Sequence, residues 1–402
     1  MARARVKVES IDDDTLYAHK IIKVGSKRVE TPTKALQINK TTRQDSVSTE
    51  ARGINEIYFE VNPKSLREGR TQRKPYFKKV IGQGLNKAQD DEINILFTQF
   101  RSTEEFSDNN LLYLADTLYS TSDFVSVPLM SNLLKAIRED GSGTSSKYFQ
   151  RYKANVRNFI EAVQQLNGKP IMGTIPALPW DFTNQLVNLY IEKGIESFCF
   201  DFNGRQITAE TQLSDMVTPL MRQIATEDME EDVFLFALNA HKGRTTGDNI
   251  TPARDFFSHG FGFDVLGDKH VSPDLPPHIY EKMENQDPEM YLFDREDYVY
   301  NSLPYDSSLQ SQIPSYSELD PQRVLNPDYK SRYESLLNTE EQARESMELQ
   351  MAVDENRVVN HISQKRGVKE EQVVDDMKNT KSVFDGGKPQ SSLRELDDLF
   401  TK

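Results

Sequence analysis

From about residue 90 onward, short apolar runs of the chain alternate with longer amphipathic segments. Strand-like runs begin near residues 123, 170, 195, 233 and 261, and a segment with helical spacing separates most of them from the next. Strands that alternate with helices predict repeated βα crossovers, and therefore a parallel sheet with helices outside it. A TIM-type βα-barrel typically has about 250 residues, and this length fits the repeated part of the chain better than an open sheet does. The run 261–266 is the last strand that this pattern predicts.

Outside this repeat, the N-terminal and C-terminal parts of the chain have different patterns. Residues 15–38 predict a β-hairpin that turns at Gly25 and Ser26. After Pro273 the chain is rich in Pro, Tyr, Asp and Ser, which predicts cover loops over 273–330, and a long charged helix is predicted over 331–360. We therefore divide the chain into an N-terminal hairpin segment (1–50), a βα-barrel (51–272), and cover loops with a helical C-terminal extension that ends in an amphipathic stretch at 391–400 (273–402).

The composition narrows the classes of protein and of site. The 402 residues carry 49 Lys and Arg against 63 Asp and Glu, a net charge of −14, and no apolar run is long enough for a membrane helix. Because no apolar leader follows Met1, we expect a cytoplasmic protein without a membrane partner. Cys199 is the sole cysteine, which excludes intramolecular disulfides and a cysteine-cluster zinc site. An acidic total still allows a local basic groove, for which the segment containing Arg70 and Arg73 is a candidate.

Polar clusters follow the predicted strands directly, at the end of a barrel where catalytic residues lie. A carboxylate pair there can act as nucleophile and as general acid/base, and neighbouring cations can hold phosphate groups. Capping and turn formation are the alternative roles, above all for Asp201, Asn203 and Gly204. Three histidines of these loops lack the spacing of a metal site. The candidate residues are Asp201, Asn203, Gly204, Arg205, His241, Lys242, Arg244, Asp264, Asp268, Lys269 and His270.

Four segments, in this order, resemble tRNA-guanine transglycosylases. Residues 23–32 (KVGSKRVETP) resemble the hairpin of that family that ends in Glu-Thr-Pro, and 169–175 (KPIMGTI) is similar to its strand ending Gly-Ile-Val-Gln-Gly-Gly. Residues 186–205 resemble the helix and strand that carry its base-binding loop. Residues 256–268 (FFSHGFGFDVLGD) resemble the strand Gly-Ile-Asp-Met-Phe-Asp, whose final Asp is the family's nucleophile. The resemblance extends over residues 16 to 360 by order and spacing.

The resemblance implies exchange of a guanine in nucleic acid for a 7-deazaguanine, by an aspartate that attacks the ribose carbon. Some members of the superfamily modify DNA, so the resemblance implies DNA or tRNA as the partner and a homo- or heterodimer as the assembly. It implies no cofactor, because the family's zinc motif of three Cys and one His is missing. The residues that would carry these roles are Asp264 or Asp268 as nucleophile, Asp201, Asn203, Gly204 and Arg205 as base-binding residues, and Lys242, Arg244, Lys269, Arg70 and Arg73 as contacts to the nucleic-acid backbone.

The chain departs from this family at several pocket positions. The family's Asp-Ser-Gly-Gly-Phe-Gln segment is absent, and the segment nearest to its place is 95–100 (ILFTQF). The family's second base-reading Asp falls at Pro128 or a neighbouring residue, and its Gln falls at Pro176. These departures leave a second hypothesis open, a non-catalytic relative that binds nucleic acid or pairs with an active enzyme. A barrel enzyme that acts on a small metabolite is the third.

Overall fold

The computed structural model describes residues 3–71, 76–140, 146–166, 168–245, 249–271 and 289–387. Within these residues the strands are β1 Arg5–Ile11, β2 Ala18–Val24, β3 Lys27–Thr31, β4 Thr33–Lys34, β5 Leu36–Gln37, β6 Ile54–Val61, β7 Ile93–Phe100, β8 Phe124–Ser126, β9 Ile171–Pro176, β10 Ser197–Asp201, β11 Phe234–Leu238, β12 Ile250–Pro252, β13 Val265–Leu266, β14 Glu289–Asp294 and β15 Val299–Pro304.

The α-helices of the same residues are α1 Pro63–Thr71, α2 Tyr76–Leu85, α3 Asp108–Thr121, α4 Ser131–Asp140, α5 Lys147–Leu166, α6 Trp180–Glu192, α7 Glu210–Gln212, α8 Thr218–Thr226, α9 Pro321–Val324, α10 Lys330–Asp354, α11 Val358–Ile362, α12 Arg366–Glu371 and α13 Val373–Gly387. A π-helical turn, Leu213–Val217, joins α7 to α8, and 3-10 turns include Phe256–Phe261.

Nine strands of the described residues form one parallel sheet that curves into a nearly closed, TIM-like barrel. The order is β4-β13-β11-β10-β9-β8-β7-β6-β5, and every neighbouring pair is parallel. The two end strands, β4 and β5, are separated along the chain by Ala35 alone, whose N–H donates to Leu266 O at 2.9 Å. One short segment therefore joins the two edges of the sheet. The predicted βα-barrel is confirmed, with an N-terminal antiparallel sheet and C-terminal helices.

The interior of the barrel is apolar at the amino ends and in the middle of the strands. Aromatic side chains of opposite strands meet there: the ring centroids of Phe97 and Phe236 lie 4.9 Å apart, and those of Phe124 and Phe234 lie 5.2 Å apart. Cys199 belongs to the same cluster and is fully buried, and burial raises the pKa of its thiol. This filled core confines polar chemistry to the carboxyl ends of the strands.

Two smaller sheets cover other surfaces of the barrel. Strands β1, β2 and β3 form an antiparallel sheet, and strands β12, β15 and β14 form another. Helix α10 covers the edge strand β14: the Asn338 side chain accepts from Phe293 N at 2.7 Å and donates to Tyr291 O at 2.8 Å. These two hydrogen bonds pair backbone groups that β14 would otherwise leave exposed at the edge of its sheet. None of the described helices has the length and apolar character that crossing a membrane requires.

The structure differs from the sequence predictions in four places. Residues 33–37 belong to the barrel, although we predicted them within the N-terminal hairpin. Of the strand predicted at 261–266, only Val265–Leu266 forms a strand, β13; the residues Phe256–Phe261 before it form a buried 3-10 turn. The predicted cover loops contain the hairpin β14–β15. The long helix ends at Asp354, since Asn356 adopts a left-handed conformation with φ of 50°.

Candidate active site at the barrel mouth

Six polar side chains converge at the carboxyl ends of the barrel strands. We call them the mouth network: Lys34, Glu56, Asp201, Asn239, Asp268 and His270. Strand pairing explains their meeting, since β4 lies beside β13 and β11 lies beside β10, so that residues distant in sequence share one end of the barrel.

Asp268 is held on both carboxylate oxygens. Its Oδ1 accepts a hydrogen bond from Lys34 Nζ, which is also its ion-pair partner, and its Oδ2 accepts from the Ser335 hydroxyl of α10 at 2.9 Å. Burial alone would raise the pKa of Asp268, but the Lys34 charge and these hydrogen bonds outweigh burial and hold the pKa below its usual value. The carboxylate is therefore ionised at neutral pH, the state that a nucleophile requires.

A chain of hydrogen bonds links Asp268 to Asp201. The Asp268 N–H donates to Glu56 Oε1 at 2.8 Å, and the same oxygen lies 3.0 Å from His270 Nε2. The His270 N–H donates to Asn239 Oδ1 at 2.6 Å, and Asn239 Nδ2 donates to Asp201 Oδ1 at 2.8 Å. One connected network thus spans the strands β6, β10, β11 and β13.

Asp201 has the opposite electrostatic environment to Asp268. Burial raises the pKa of Asp201, and the hydrogen bonds from Asn239 and from the Asn203 N–H offset only part of that effect. Both of these bonds go to Oδ1. A raised pKa moves a carboxyl group toward the pH range in which a general acid/base gains and loses its proton.

The aromatic residue beside this network is Tyr58 of β6. Its ring stacks on the His270 imidazole with centroids 4.4 Å apart and planes inclined by 5°, and its hydroxyl donates to Gln99 Oε1 at 2.8 Å. The stack fixes the imidazole plane, and Gln37 Nε2 lies 3.3 Å from His270 Nδ1. His270 therefore has a defined orientation toward Glu56.

Asn203 and Gly204 form the turn after β10. Asn203 has φ of 51° and Gly204 has φ of 73°, and the Asn203 N–H donates to Asp201 Oδ1 at 2.9 Å. The Gly204 N–H donates to Asn239 O at 2.8 Å, which joins this turn to the loop after β11. Two successive left-handed residues explain why Asn and Gly occupy these positions. The turn sends the next residue, Arg205, outward, where it is exposed.

The predicted backbone contacts occupy different environments. The Lys242 ammonium lies over two tyrosine rings of the small sheet, 4.1 Å from the Tyr291 centroid and 4.8 Å from that of Tyr300, and burial lowers its pKa. Arg244 and Lys269 are exposed. Arg70 is exposed in the last turn of α1, and no hydrogen bond or ion pair among the described residues joins it to the mouth network. Arg73 lies outside the described residues.

Asp264 lies at the opposite end of the barrel from Asp268, so its predicted position near the strand carboxyl ends is wrong. It precedes β13, accepts from the Leu235 N–H at 2.8 Å, and forms an ion pair of 3.1 Å with Lys20 of the N-terminal sheet. Burial raises the pKa of Asp264, and Lys20 offsets part of this rise. Asp264 precedes β13 and Asp268 follows it, so the two aspartates lie at opposite ends of this strand.

A cleft beside the mouth contains two of the predicted arginines. Two adjoining cavities of about 560 and 760 Å³ share Arg205, Thr211 and Gln212 as wall residues. We call this pair of cavities the arginine cleft; its other walls include Arg138, Trp180, His241, Arg244 and Arg254. Because the loops after β9, β10 and β11 form these walls, the cleft lies at the same end of the barrel as the mouth network.

Sequence reasoning missed Lys34 and Glu56 in the mouth network, and Gln212 and Trp180 in the arginine cleft. A sequence signal existed for Glu56, since it is a charged residue on the same face of the strand INEIYF as Ile54 and Tyr58, which point inward. Lys34 gave no such signal, because it reaches Asp268 only after the closing of the barrel has placed β4 beside β13.

The described residues contain no cluster of three or more His, Cys, Asp or Glu side chains suited to a metal ion. His270 instead contacts Glu56, and His259 is buried, with Nδ1 2.8 Å from Phe263 O and a pKa that burial lowers to about 4. The comparisons with known proteins add no relative: no family model matches the chain, and no curated protein does.

Proposed function

We propose that the chain is a glycosyl-transferring barrel enzyme that exchanges a guanine-type base in DNA or tRNA, with Asp268 as nucleophile and Asp201 as general acid/base. One observation carries the proposal: two carboxyl groups in a single hydrogen-bonded network have pKa values displaced in opposite directions. Such a pair assigns the carboxylate with the lowered pKa to nucleophilic attack and the carboxyl group with the raised pKa to proton transfer.

In the first step, an oxygen of the Asp268 carboxylate forms a bond to the anomeric carbon of the target nucleotide. The bond from this carbon to the base nitrogen breaks, its electron pair goes to that nitrogen, and the Asp201 carboxyl delivers a proton to the leaving base. In the second step, the ring nitrogen of the incoming 7-deazaguanine attacks the same carbon, the Asp268 carboxylate leaves, and the proton of the incoming base returns to Asp201. The charge that develops on the sugar ring lies beside an ionised carboxylate, as in retaining glycoside chemistry.

The neighbours of the two aspartates have positioning roles in this proposal. Asn239 fixes Oδ1 of Asp201, which leaves Oδ2 for the proton. Lys34 and Ser335 hold the Asp268 carboxylate before attack. The exposed Lys269 follows Asp268 directly, and we assign it to a phosphate of the polymer. The target base must leave its stack to reach this depth, as in other enzymes that act on a nucleobase.

The test is exchange of radiolabelled guanine out of tRNA and out of duplex DNA. We expect Asp268→Asn to lower the exchange rate by at least about 10³-fold, because the amide cannot replace the carboxylate nucleophile. Asp201→Asn should lower the rate and remove the limb of the pH profile that reports the general acid. Asp116→Asn, an exposed acid on the outer helix α3, serves as the matched control and should exchange like wild type. An Asp268→Asn variant that keeps the wild-type rate would refute the proposal.

A second candidate function is a non-catalytic subunit that binds nucleic acid. The observation that favours it is the engagement of both Asp268 oxygens, one by Lys34 and one by Ser335. A nucleophile needs at least one oxygen free at the moment of attack, so this candidate requires that the two contacts persist in the complex. Salt-dependent binding of tRNA or DNA, without release of labelled guanine by any variant, is the result that this candidate predicts.

A further inference from the structure

The arginine cleft has an unusual balance of charge for an acidic protein. Arg138, Arg205 and Arg244 have no carboxylate within 4.0 Å among the residues that the structure describes, although the whole chain carries a net charge of −14. Asp215 is the acidic residue of the cleft wall, and the Ser214 hydroxyl donates to it at 2.9 Å. Unpaired guanidinium groups on one concave surface favour an anionic ligand, above all phosphate.

The arginines of the cleft also affect one another. The pKa of Arg138 lies below its ordinary value, first because of partial desolvation and then because of the positive charge of Arg205, and the more distant Asp201 offsets only part of this. Arg138 donates to Ala177 O at 3.3 Å and to the Asn203 amide oxygen at 3.1 Å, and the Arg254 side chain contacts Gln206. An anion between Arg138 and Arg205 would relieve their repulsion and accept from both.

Gln212 is the second, independent observation. It is 1% exposed and forms part of the wall shared by both cavities, and neither its amide oxygen nor its amide nitrogen has a hydrogen-bond partner among the described residues. A buried amide without a hydrogen-bond partner from the protein is unfavourable, so the Gln212 amide gains if a ligand in the cleft bonds to it. An amide offers one donor and one acceptor side by side, which matches the edge of a nucleobase.

Trp180 supplies an aromatic surface in the same cavity. It is the first residue of α6, is half-buried, and lines the cavity with Arg138, Arg205 and Gln212. An indole ring is a sequence-tolerant platform on which a planar base stacks. Cations, a buried amide and an aromatic ring within one cleft are therefore the components of a nucleotide site.

We propose that the arginine cleft binds a nucleotide, with its phosphate on Arg138, Arg205 and Arg244, its base against Trp180 and the edge of the base on the Gln212 amide. The nucleotide is either free or one unit of a strand. The proposal goes beyond base exchange. The resemblance also assigns Arg205 and Arg244 to nucleic-acid binding, but binding requires no chemistry and the cleft shares no residue with the mouth network, so the site can be tested apart from exchange.

Equilibrium dialysis with radiolabelled AMP, and separately with a labelled oligodeoxyadenylate, measures binding to the whole chain. Trp180 is the sole tryptophan, so its fluorescence reports whether the ligand reaches the cleft. We expect saturable binding with quenched emission, and weaker binding of adenosine than of AMP. Binding of AMP identifies a free nucleotide, whereas binding of the oligonucleotide alone identifies a unit of a strand; each of these outcomes supports the site.

Three variants locate the ligand. Arg205→Met should weaken binding at least about tenfold, which corresponds to the loss of one charge-assisted contact. Gln212→Met should weaken binding of AMP while it raises the thermal midpoint, because it removes the buried amide without changing the side-chain volume much. Arg157→Met, an exposed arginine on the outer helix α5, is the matched control and should bind like wild type.

The proposal is overturned if neither AMP nor the oligonucleotide binds at low salt, or if Arg205→Met binds them as wild type does. Binding that leaves the Trp180 emission unchanged overturns the assignment of the base to the cleft. Asp268→Asn should retain full binding, so a failure of base exchange and a failure of this site are distinguishable.

Discussion

Lys34 and Asp268 form an ion pair between β4, an edge strand of the barrel sheet that belongs to the closing segment, and the loop after the neighbouring strand β13. Lys34 Nζ contacts Asp268 Oδ1, and only 4% of the Lys34 side chain and 17% of the Asp268 side chain are exposed. Lys34 lies in β4, at one end of the strand order, and Asp268 follows the neighbouring strand β13. The pair therefore links barrel closure to the electrostatics of the candidate nucleophile.

The lowered pKa of Asp268 makes the stability of the protein depend on pH. The stabilisation that the ionised Asp268 gives the folded state is fully present above the unfolded-state pKa of about 3.9. It is lost as the pH falls through the lower pKa of the folded state. We expect Asp268→Asn to lower the free energy of unfolding by about 3 kcal/mol at pH 7, since it leaves Lys34 buried without its anion. Urea titrations at pH 7 and at pH 3 should show this difference shrinking in acid. A difference that stays constant between the two pH values contradicts the prediction, and Asp116→Asn is the control.

The ion pair of Lys20 and Asp264, at the amino ends of the strands, should stabilise the fold without affecting catalysis. Lys20→Met leaves a buried carboxylate unpaired, so the free energy of unfolding should fall by about 3 to 5 kcal/mol. The double variant Lys20→Met, Asp264→Leu removes both charges and should recover most of this loss. Guanine exchange per folded molecule should stay at the wild-type level in both variants. Exchange abolished specifically by the Asp264 substitution would show that this end of the barrel takes part in the reaction.

The left-handed turn after β10 gives a third prediction, which separates a backbone role of Gly204 from contact with a base. A Cβ at this glycine would lie 3.2 Å from Val271 Cγ2 and would occupy a φ of 73°. Gly204→Ala should therefore lower the free energy of unfolding by about 1 to 2 kcal/mol, and Gly204→Asn by less, since Asn tolerates this conformation. The control is Gly82→Ala in α2. A Cβ at Gly82 would meet no neighbouring atom within 4 Å, so the substitution should stabilise the helix by about 0.5 to 1 kcal/mol.

Thermal and urea unfolding measure the stability of these glycine variants, and guanine exchange measures their activity relative to wild type. If Gly204 contributes only the turn, exchange by folded Gly204→Asn equals that of wild type. A large loss of exchange with little loss of stability would instead indicate that the base approaches the backbone at this position.

The barrel was predictable from sequence because buried parallel strands give continuous apolar runs between amphipathic helices. The run Ile54–Val61, which is rich in β-branched and aromatic residues, forms β6 over its whole length. The closing segment was not recognised, because Thr33–Lys34 and Leu36–Gln37 are two-residue strands in which three of the four side chains are polar. Its place in the barrel is fixed by pairing with β13 and β6, which are distant in sequence.

The candidate site was predictable only in part, for the same reason. Asp201 is the last residue of the apolar strand β10 and Asp268 follows β13 after Gly267, so their positions at the barrel mouth could be inferred. Asp264 was misassigned because a buried 3-10 turn and a buried strand have the same apolar composition, and periodicity does not separate such short runs. Lys34 reaches Asp268 only through the strand order, which local sequence does not encode.

Lys242 and Arg244 are two residues apart and should respond differently to substitution. The Lys242 ammonium is enclosed by Tyr291 and Tyr300, whereas the Arg244 side chain is exposed in the wall of the arginine cleft. Lys242→Met removes two cation–π contacts and should lower the free energy of unfolding by about 1 to 2 kcal/mol. It should leave nucleic-acid affinity unchanged, because the ammonium is directed at the tyrosine rings and away from solvent.

Arg244→Met should have the reverse profile, with near wild-type stability and weaker binding. A lost phosphate contact reduces the slope of log affinity against log salt concentration by about 0.7 for single strands and about 0.9 for duplex DNA. Fluorescence-anisotropy titrations of labelled tRNA and DNA at several salt concentrations measure this slope, and urea unfolding measures stability. Equal slopes for Arg244→Met and wild type would exclude Arg244 as a phosphate contact. A reduced slope for Lys242→Met would mean that its ammonium leaves the tyrosines when nucleic acid binds.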